Sequence, residues 1–310
     1  MIPYRHHGWL AFALFAVTLI LFARCASPPP APDTAGTSIL VAGTPFDIGT
    51  RVVTWREPDG YSAYREGKHF DTDTDTEPDH QRRYGERPGN PQTLADVQQV
   101  VHQFVVHYDT CGTSRQCFKV LQDVRNLSVH FLLDVDGTIY QTLDVKERAW
   151  HATYANDFTV GVEIAHPGAF PQPMNAAMRP WYERDADGWR LRFPKWMTET
   201  GIRTPGFVGR PARPEIVRGE VQGKVWHQFD FTPEQYRALP KLIAGLARAL
   251  PRLRIEAPRD RRGQIVNHAL PKDVIRSFEG IVGHFHVQPN KQDPGPAFQW
   301  ERVLRAARAQ

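Results

Sequence analysis

Toward its C-terminus the chain reads Gly283-His284-Phe285-His286-Val287-Gln288-Pro289-Asn290-Lys291-Gln292-Asp293-Pro294-Gly295-Pro296, which sets imidazole, ammonium and carboxylate groups in one short run. These residue types suit a zinc hydrolase. A borderline-soft cation takes nitrogen from neutral His and oxygen from Asp, and a catalytic site keeps three protein ligands and one open position. A third ligand must come from far away in sequence. His107 is the best candidate, because it follows the apolar run Phe104-Val105-Val106 and a buried strand is a rigid mount for a ligand.

A central block adds further groups. Leu127-Ser128-Val129-His130-Phe131-Leu132-Leu133-Asp134-Val135-Asp136-Gly137-Thr138-Ile139-Tyr140-Gln141 is followed by Arg148-Ala149-Trp150-His151-Ala152 and by Asn156-Asp157-Phe158-Thr159-Val160-Gly161-Val162-Glu163-Ile164. Together with the His107 strand and the Asp293-Pro294-Gly295-Pro296 ending, this block resembles the type 2 family of zinc-dependent N-acetylmuramoyl-L-alanine amidases, relatives of the peptidoglycan recognition proteins. The resemblance runs from about Val100 to Trp300, with five motifs in the family's order. It implies a mixed sheet covered by helices, with the metal at one sheet edge, and hydrolysis of the amide between N-acetylmuramic acid and L-Ala of a stem peptide.

The resemblance also assigns roles. His107, His284 and Asp293 are the expected zinc ligands, Asp293 also being suited to the turn before Pro294 and Gly295. Glu163 ends an apolar strand, where a carboxylate is costly unless paired or employed. It is the expected general base, with Lys291 stabilising the oxyanion as a point charge. Trp150, His151 and Asn156 match positions that line the cleft and contact substrate. The family carries an acidic residue where this chain has His286. In an extended backbone His286 would share a face with His284, so it reads as an alternative ligand, a supporting group or a solvent-facing side chain.

The elements that must position these groups are partly visible. Gln103 to Tyr108 and Thr159 to Ala165 read as buried strands, Val129 to Leu133 and Thr138 to Leu143 as a hairpin about Asp134-Val135-Asp136-Gly137. Leu94 to His102 and Phe118 to Arg125 have helical character, and a final helix is expected from near Pro296 to Ala309. The clearest helix is Thr232 to Leu250, with Thr232 as N-cap, Pro233 at the first position, Gln235 completing a capping box and Pro240 predicting a kink. Strands alternating with helices predict an α/β (α+β mixed) fold with a central mixed sheet flanked by helices.

The remaining sequence sets the outer limits. With 310 residues, 41% of them hydrophobic, the chain is long enough to bury a proper core. A net charge of +4 and a pI near 9.0, with acids and bases interspersed and no long basic run, argue against a nucleic-acid partner. Arg5, His6 and His7 precede an apolar stretch from Trp9 to Ala23, which reads as a secretory leader over 1–27 and predicts export to a bacterial periplasm or cell envelope. Phe22-Ala23-Arg24-Cys25 is lipoprotein-like. Lipidation of Cys25 with membrane anchoring, cleavage after Ser27 and an uncleaved leader all remain open. Residues 28–95, rich in Pro, Gly, Asp and Thr, read as an irregular N-terminal extension. The amidase domain is expected over 96–310, with an insertion at about 167–224 carrying Trp181, Trp189 and Trp196. Cys111 and Cys117, in an exported chain and with a similar pair in recognition proteins, are expected to form a disulfide; free thiols and metal ligation are the other readings. Two functional rivals stand beside the amidase: a non-catalytic peptidoglycan-binding protein, and a zinc hydrolase acting on another amide.

Overall fold

A mixed sheet of seven strands is the centre of the fold. In chain order the computed structural model contains β1 (Gly36–Val41), β2 (Thr44–Thr54), β3 (Tyr84–Gly85), α1 (Leu94–Val100), β4 (Gln103–Tyr108), α2 (Ser114–Lys119), β5 (Phe131–Leu133), β6 (Ile139–Gln141), β7 (Arg148–Ala149) and β8 (Thr159–Ile164). There follow β9 (Tyr182–Asp185), β10 (Gly188–Leu191), β11 (Val217–Val221), β12 (Lys224–Gln228), α3 (Pro233–Ala249), α4 (Lys272–Ser277), β13 (Gly280–Gly283), α5 (His284–Val287) and α6 (Trp300–Arg308). The strands of the central sheet stand in the order β1-β2-β6-β5-β8-β4-β13. The structure describes residues 1–2, 36–70 and 81–310, so the leader, Cys25 and the acidic Thr run from Asp71 to Glu77 lie outside the described residues. Among the described residues no helix is long and apolar enough to cross a membrane.

The sheet's alternation decides what faces where. Phe104 and Val106 of β4, and Val160, Val162 and Ile164 of β8, pack with Leu239, Leu242, Ile243 and Leu246 of α3 in the main core. Val105 and Val282 belong to a second cluster, with Ala152, Ala155 and Ile275. His107 and Glu163, in step with Val105, therefore stand on the face away from α3. That helix begins as its sequence requires: Thr232 and Gln235 complete a capping box, and the helix continues through Pro240. The final helix starts later than expected, at Trp300.

The N-terminal region departs from the expectation of irregular structure. β1 and β2 pair antiparallel, and β2 then pairs parallel with β6, so this hairpin extends the central sheet. Ile39, Val41, Ile48 and Val52 enter the main core. Their apolar alternation is diluted in a Pro- and Gly-rich sequence context, which masks the strand signal. The stretch at 167–224 holds two antiparallel ribbons, β9-β10 and most of β11-β12. Its start is tied to the second ribbon by the β bridge between Phe170 and His227 of β12.

Three buried histidines share one wiring. In His130, His166 and His286, Nδ1 accepts a backbone N–H, from Gly161, Gly168 and Gly283, while Nε2–H donates to the carbonyl of Glu147, Phe229 and Val266. A second ring proton would face an N–H donor, so each ring is fixed as the neutral tautomer. His286 is thus neither ligand nor solvent-facing. It sits in the short helix α5, where the i, i+2 coincidence with His284 expected of extended backbone does not hold. Burial lowers the pKa of His130 and His286 to about 3 and of His166 to about 4.

The sign follows from which state holds more protons. Below pH 6.5 the unfolded chain protonates these rings and the folded chain does not, so stability falls with pH until the folded values near 3 to 4 are reached. We expect urea unfolding at pH 5 to show a loss of roughly 2 kcal/mol for each of the three rings relative to pH 7. The buried carboxylates shift in the opposite sense over the same window, so the rings are read by difference: an unchanged pH dependence of unfolding in His166→Gln would refute this assignment.

Candidate metal centre and catalytic cleft

Strand register builds the site. β4 lies between β8 and β13, parallel to both, with His107 opposite Glu163 and Val106 opposite Gly283. His284 follows Gly283 and so comes level with His107. The carboxyl ends of three adjacent parallel strands thus deliver Glu163, His107 and His284 to one place, where open α/β sheets bind their ligands. Asp293 returns beside them through the loop after α5, its carbonyl accepting the N–H of Phe285 at 3.1 Å.

His107 Nδ1, His284 Nδ1 and Asp293 Oδ2 form a triangle with sides of 2.9, 3.0 and 3.0 Å, and all three residues are buried. Tetrahedral ligands with bonds of 2.0–2.1 Å lie about 3.3 Å apart, so the triangle needs only a slight expansion to hold a divalent metal. The opposite ring nitrogens are also committed. His284 Nε2 meets Gln288 Oε1 at 2.7 Å, and His107 Nε2 meets His151 Nδ1 at 3.0 Å. His151 Nε2 in turn lies 3.3 Å from Thr159 Oγ1. With the Nδ1 atoms left as donors to a metal, each Nε2–H points to an acceptor, the arrangement that fixes tautomer and ring orientation in metal sites.

Burial sets the electrostatics. It lowers the pKa of His107 to about 4, with His284 adding to the shift, so the ring is a neutral ligand at ordinary pH. Burial alone would raise Asp293, yet His284 and His107 hold it well below the usual carboxylate range. Glu163 behaves oppositely. Burial, then the Asp293 and Asp109 carboxylates, push it well above the usual range, and its Oε2 is a buried atom with no hydrogen-bond partner. A carboxylate 4.0 Å from His107 Nδ1 with an uncommitted oxygen is placed to accept a proton beside the metal position.

A cleft of about 240 Å³ opens over these groups and is lined by Trp150, His151, Glu163, His284, Lys291 and Asp293. The structure therefore brings His107, His284 and Asp293 together and places Glu163 and Lys291 in the wall of the cleft beside them. Asn156 is different. It is buried, and its Oδ1 accepts the backbone N–H groups of His151 and Ala152 at 3.1 and 2.6 Å, so it shapes the His151 turn from behind and is not among the groups that line the cleft. Cys111 and Cys117 are free thiols, not the expected disulfide. Cys117 packs as a small apolar side chain with Phe118 and Leu121, and burial followed by a hydrogen bond with Cys111 pushes its pKa up.

Sequence reasoning missed three supports. Asp109 lines the cleft, with its Oδ1 accepting N–H groups from Cys111, Gly112 and His166, and burial pushes it up to about 7. Its turn-forming context, Asp-Thr-Cys-Gly, was the available signal. Gln288 stands four residues after His284, the spacing at which helical side chains meet. Arg87 is wholly buried and donates to the carbonyls of Val145, Asn156, Asp157 and Thr159. Nothing in its local sequence marks it.

The family model described as N-acetylmuramoyl-L-alanine amidase matches residues 97–296. No curated protein matches the sequence. Among solved structures, a selenomethionine derivative of AmpD is similar at 15% identity and TM-score 0.36, covering 83% of this chain and 99% of that one. The amidase AmiD of E. coli, in complex with the substrate anhydro-N-acetylmuramic acid-L-Ala-D-γ-Glu-L-Lys, is similar at 18% identity and TM-score 0.37, covering 73% of this chain and 66% of that one. The endolysin amidase LysCS of Clostridium intestinale is similar at 13% identity and TM-score 0.30, covering 67% of this chain and 83% of that one.

Gly161 gives a direct test of the support behind His107. A Cβ there would lie 2.5 Å from His151 Nδ1, so Gly161→Ala must displace that ring. We expect divalent-metal affinity, read by competition with a chromogenic chelator, to fall about 10- to 100-fold, the range typical of lost outer partners. Unchanged affinity would show that His151 does not orient His107.

Proposed function

Since the chain belongs to the N-acetylmuramoyl-L-alanine amidase family, we propose that it cleaves the bond between the lactyl group of N-acetylmuramic acid and L-Ala of the stem peptide with zinc held by His107, His284 and Asp293. The observation that carries this reading is the convergence of those three donors with the unpartnered Oε2 of Glu163 at one buried cleft. A bound zinc ion would polarise the amide carbonyl and lower the pKa of its water from 15.7 to about 7.

The chain's own residues supply the proton path and the charge balance. Glu163 takes the proton of the attacking water on its uncommitted oxygen and delivers it to the alanine nitrogen as the C–N bond breaks. Its raised pKa favours holding that proton, and a cation at the ligand triangle opposes the shift, bringing the group toward the operating range. Lys291, at the cleft wall, faces the charge that develops on the carbonyl oxygen. The products are a glycan with a free lactyl carboxylate and a peptide that begins at L-Ala. The basic, apolar leader supports a site of action in the periplasm or cell envelope, with peptidoglycan or its fragments as substrate.

The test is mass spectrometry of peptidoglycan incubated with the zinc-loaded protein, beside Glu163→Gln and a chelated control. We expect peptides beginning at L-Ala from the native protein, a rate lowered about 10²- to 10⁴-fold in Glu163→Gln with zinc still bound, and none after chelation. Full activity of Glu163→Gln would remove its role as base. No release by a protein that still sediments with the wall would favour the binding-module reading.

A further inference from the structure

A second concave site lies beside the turn of the N-terminal hairpin at Ala42 and Gly43, outside the catalytic cleft. It has a volume of about 420 Å³ and is lined by Trp55, Tyr64, Gln92, Lys146 and Glu147, among others. This is within the range of about 300–1,000 Å³ usual for small-molecule sites. Its walls are aromatic: the rings of Trp55 and Tyr64 lie 5.5 Å apart, tilted by 46°. Tyr64 is locked in place, its hydroxyl donating to Glu147 Oε1 at 3.1 Å and accepting the N–H of Asp144 at 3.2 Å.

Several polar groups remain for a ligand. Among the described residues the indole N–H of Trp55 and Glu147 Oε2 have no hydrogen-bond partner, and Lys146 Nζ touches only Gln92 Oε1 and the edge of Glu147. An aromatic wall with a few fixed donors and acceptors at its rim matches a pyranose, which offers C–H faces for stacking and hydroxyl or acetamido groups at its edge.

The site is also connected to the cleft. Tyr64 meets Tyr84 edge-on at 5.1 Å, and Tyr84 sits in β3, which pairs with β7. The next residue, Gly85, brings its α-carbon against the indole of Trp150, a Cβ there lying 3.5 Å from Trp150 Nε1. Trp150 lines the cleft. Trp55, Tyr64 and Tyr84 are thus in ring contact one to the next, Gly85 carries the connection on to Trp150 at the cleft, and Glu147 is only three residues from Trp150, at most about 10 Å of chain.

We propose that the Trp55–Tyr64 site is a saccharide subsite that holds an N-acetylated amino sugar of a peptidoglycan strand while the strand's stem peptide lies in the cleft. The identity of the polymer rests on the amidase reading; the binding chemistry does not. Such a subsite favours polymeric wall over single soluble muropeptides, because only a strand reaches both positions at once.

The full chain is titrated with a tetramer of β-1,4-linked N-acetylglucosamine, which carries no peptide amide, and with cellotetraose as control, following tryptophan fluorescence and calorimetry. We expect the N-acetylated tetramer to bind, cellotetraose to bind at least tenfold more weakly, and Trp55→Ala to lose at least tenfold in affinity. Soluble muropeptide turnover should be unchanged in Trp55→Ala, which also reports that it is folded, while peptide release from insoluble wall falls several-fold. Lys146→Ala, a change at a half-buried rim side chain, gives a second reading that does not depend on the core, with an expected several-fold loss. No binding by the native chain, equal binding of cellotetraose, or native affinity in both variants would overturn the proposal. Because the probe lacks the scissile bond, these outcomes are independent of whether the chain cleaves the wall.

Discussion

Parallel register among β8, β4 and β13 is the constraint on which the site depends. Each residue of β4 is buried, and its neighbours are in step along its length. A slip of one position would turn His107 toward α3 and a core valine toward the cleft. The hydrophobic packing of Phe104, Val106, Val160 and Val162 against α3 is therefore also what fixes the direction of two chemical groups. Two glycines belong to the same constraint. Gly161 leaves space for His151, and Gly283 ends β13 where a side chain would meet Pro294 and Phe285.

The site concentrates groups that a stable interior would avoid. Glu163 and Asp109 each leave one carboxylate oxygen buried without a partner, and Asp293 lies between two imidazoles. Buried polar groups of this kind cost stability when unsatisfied. The surrounding structure offsets this with rings and carbonyls that are fully engaged. Each of the three structural histidines is held at both nitrogens, and Asn156 takes up two backbone donors at the His151 turn. Rigid surroundings and uncommitted atoms together are what a preorganised catalytic site requires.

Much of this was legible in the residues. Gln103–Tyr108 and Thr159–Ile164 are continuous apolar runs, α3 announces its start with Thr232, Pro233 and Gln235, and the ligands stand at the ends of the strands that carry them. What escaped reading depends on tertiary context. The hairpin at 36–54 is hidden by prolines, glycines and charges, although its inward residues are ordinary core types. Arg87 could not be recognised because its acceptors are carbonyls of two distant loops. The place of His286, left open among three roles by the sequence, depends on backbone geometry: one helical turn stands where an extended chain would have set it beside His284. The two backbone donors that Asn156 takes up escape as well, because position in a motif does not reveal which groups a side chain engages.

Arg87 has a consequence for how the centre is prepared. Its guanidinium is surrounded by four backbone carbonyls from the loops at 145 and 156–159, and burial lowers its pKa only to about 9, so it remains charged at neutral pH. In coordination terms it resembles a calcium ion gathering oxygen ligands from loops, but one that is covalently tethered. It cannot be chelated, exchanged or diluted away. The turn that carries Trp150 and His151 is thus organised by a permanent internal cation, and its shape is set before any exchangeable metal arrives.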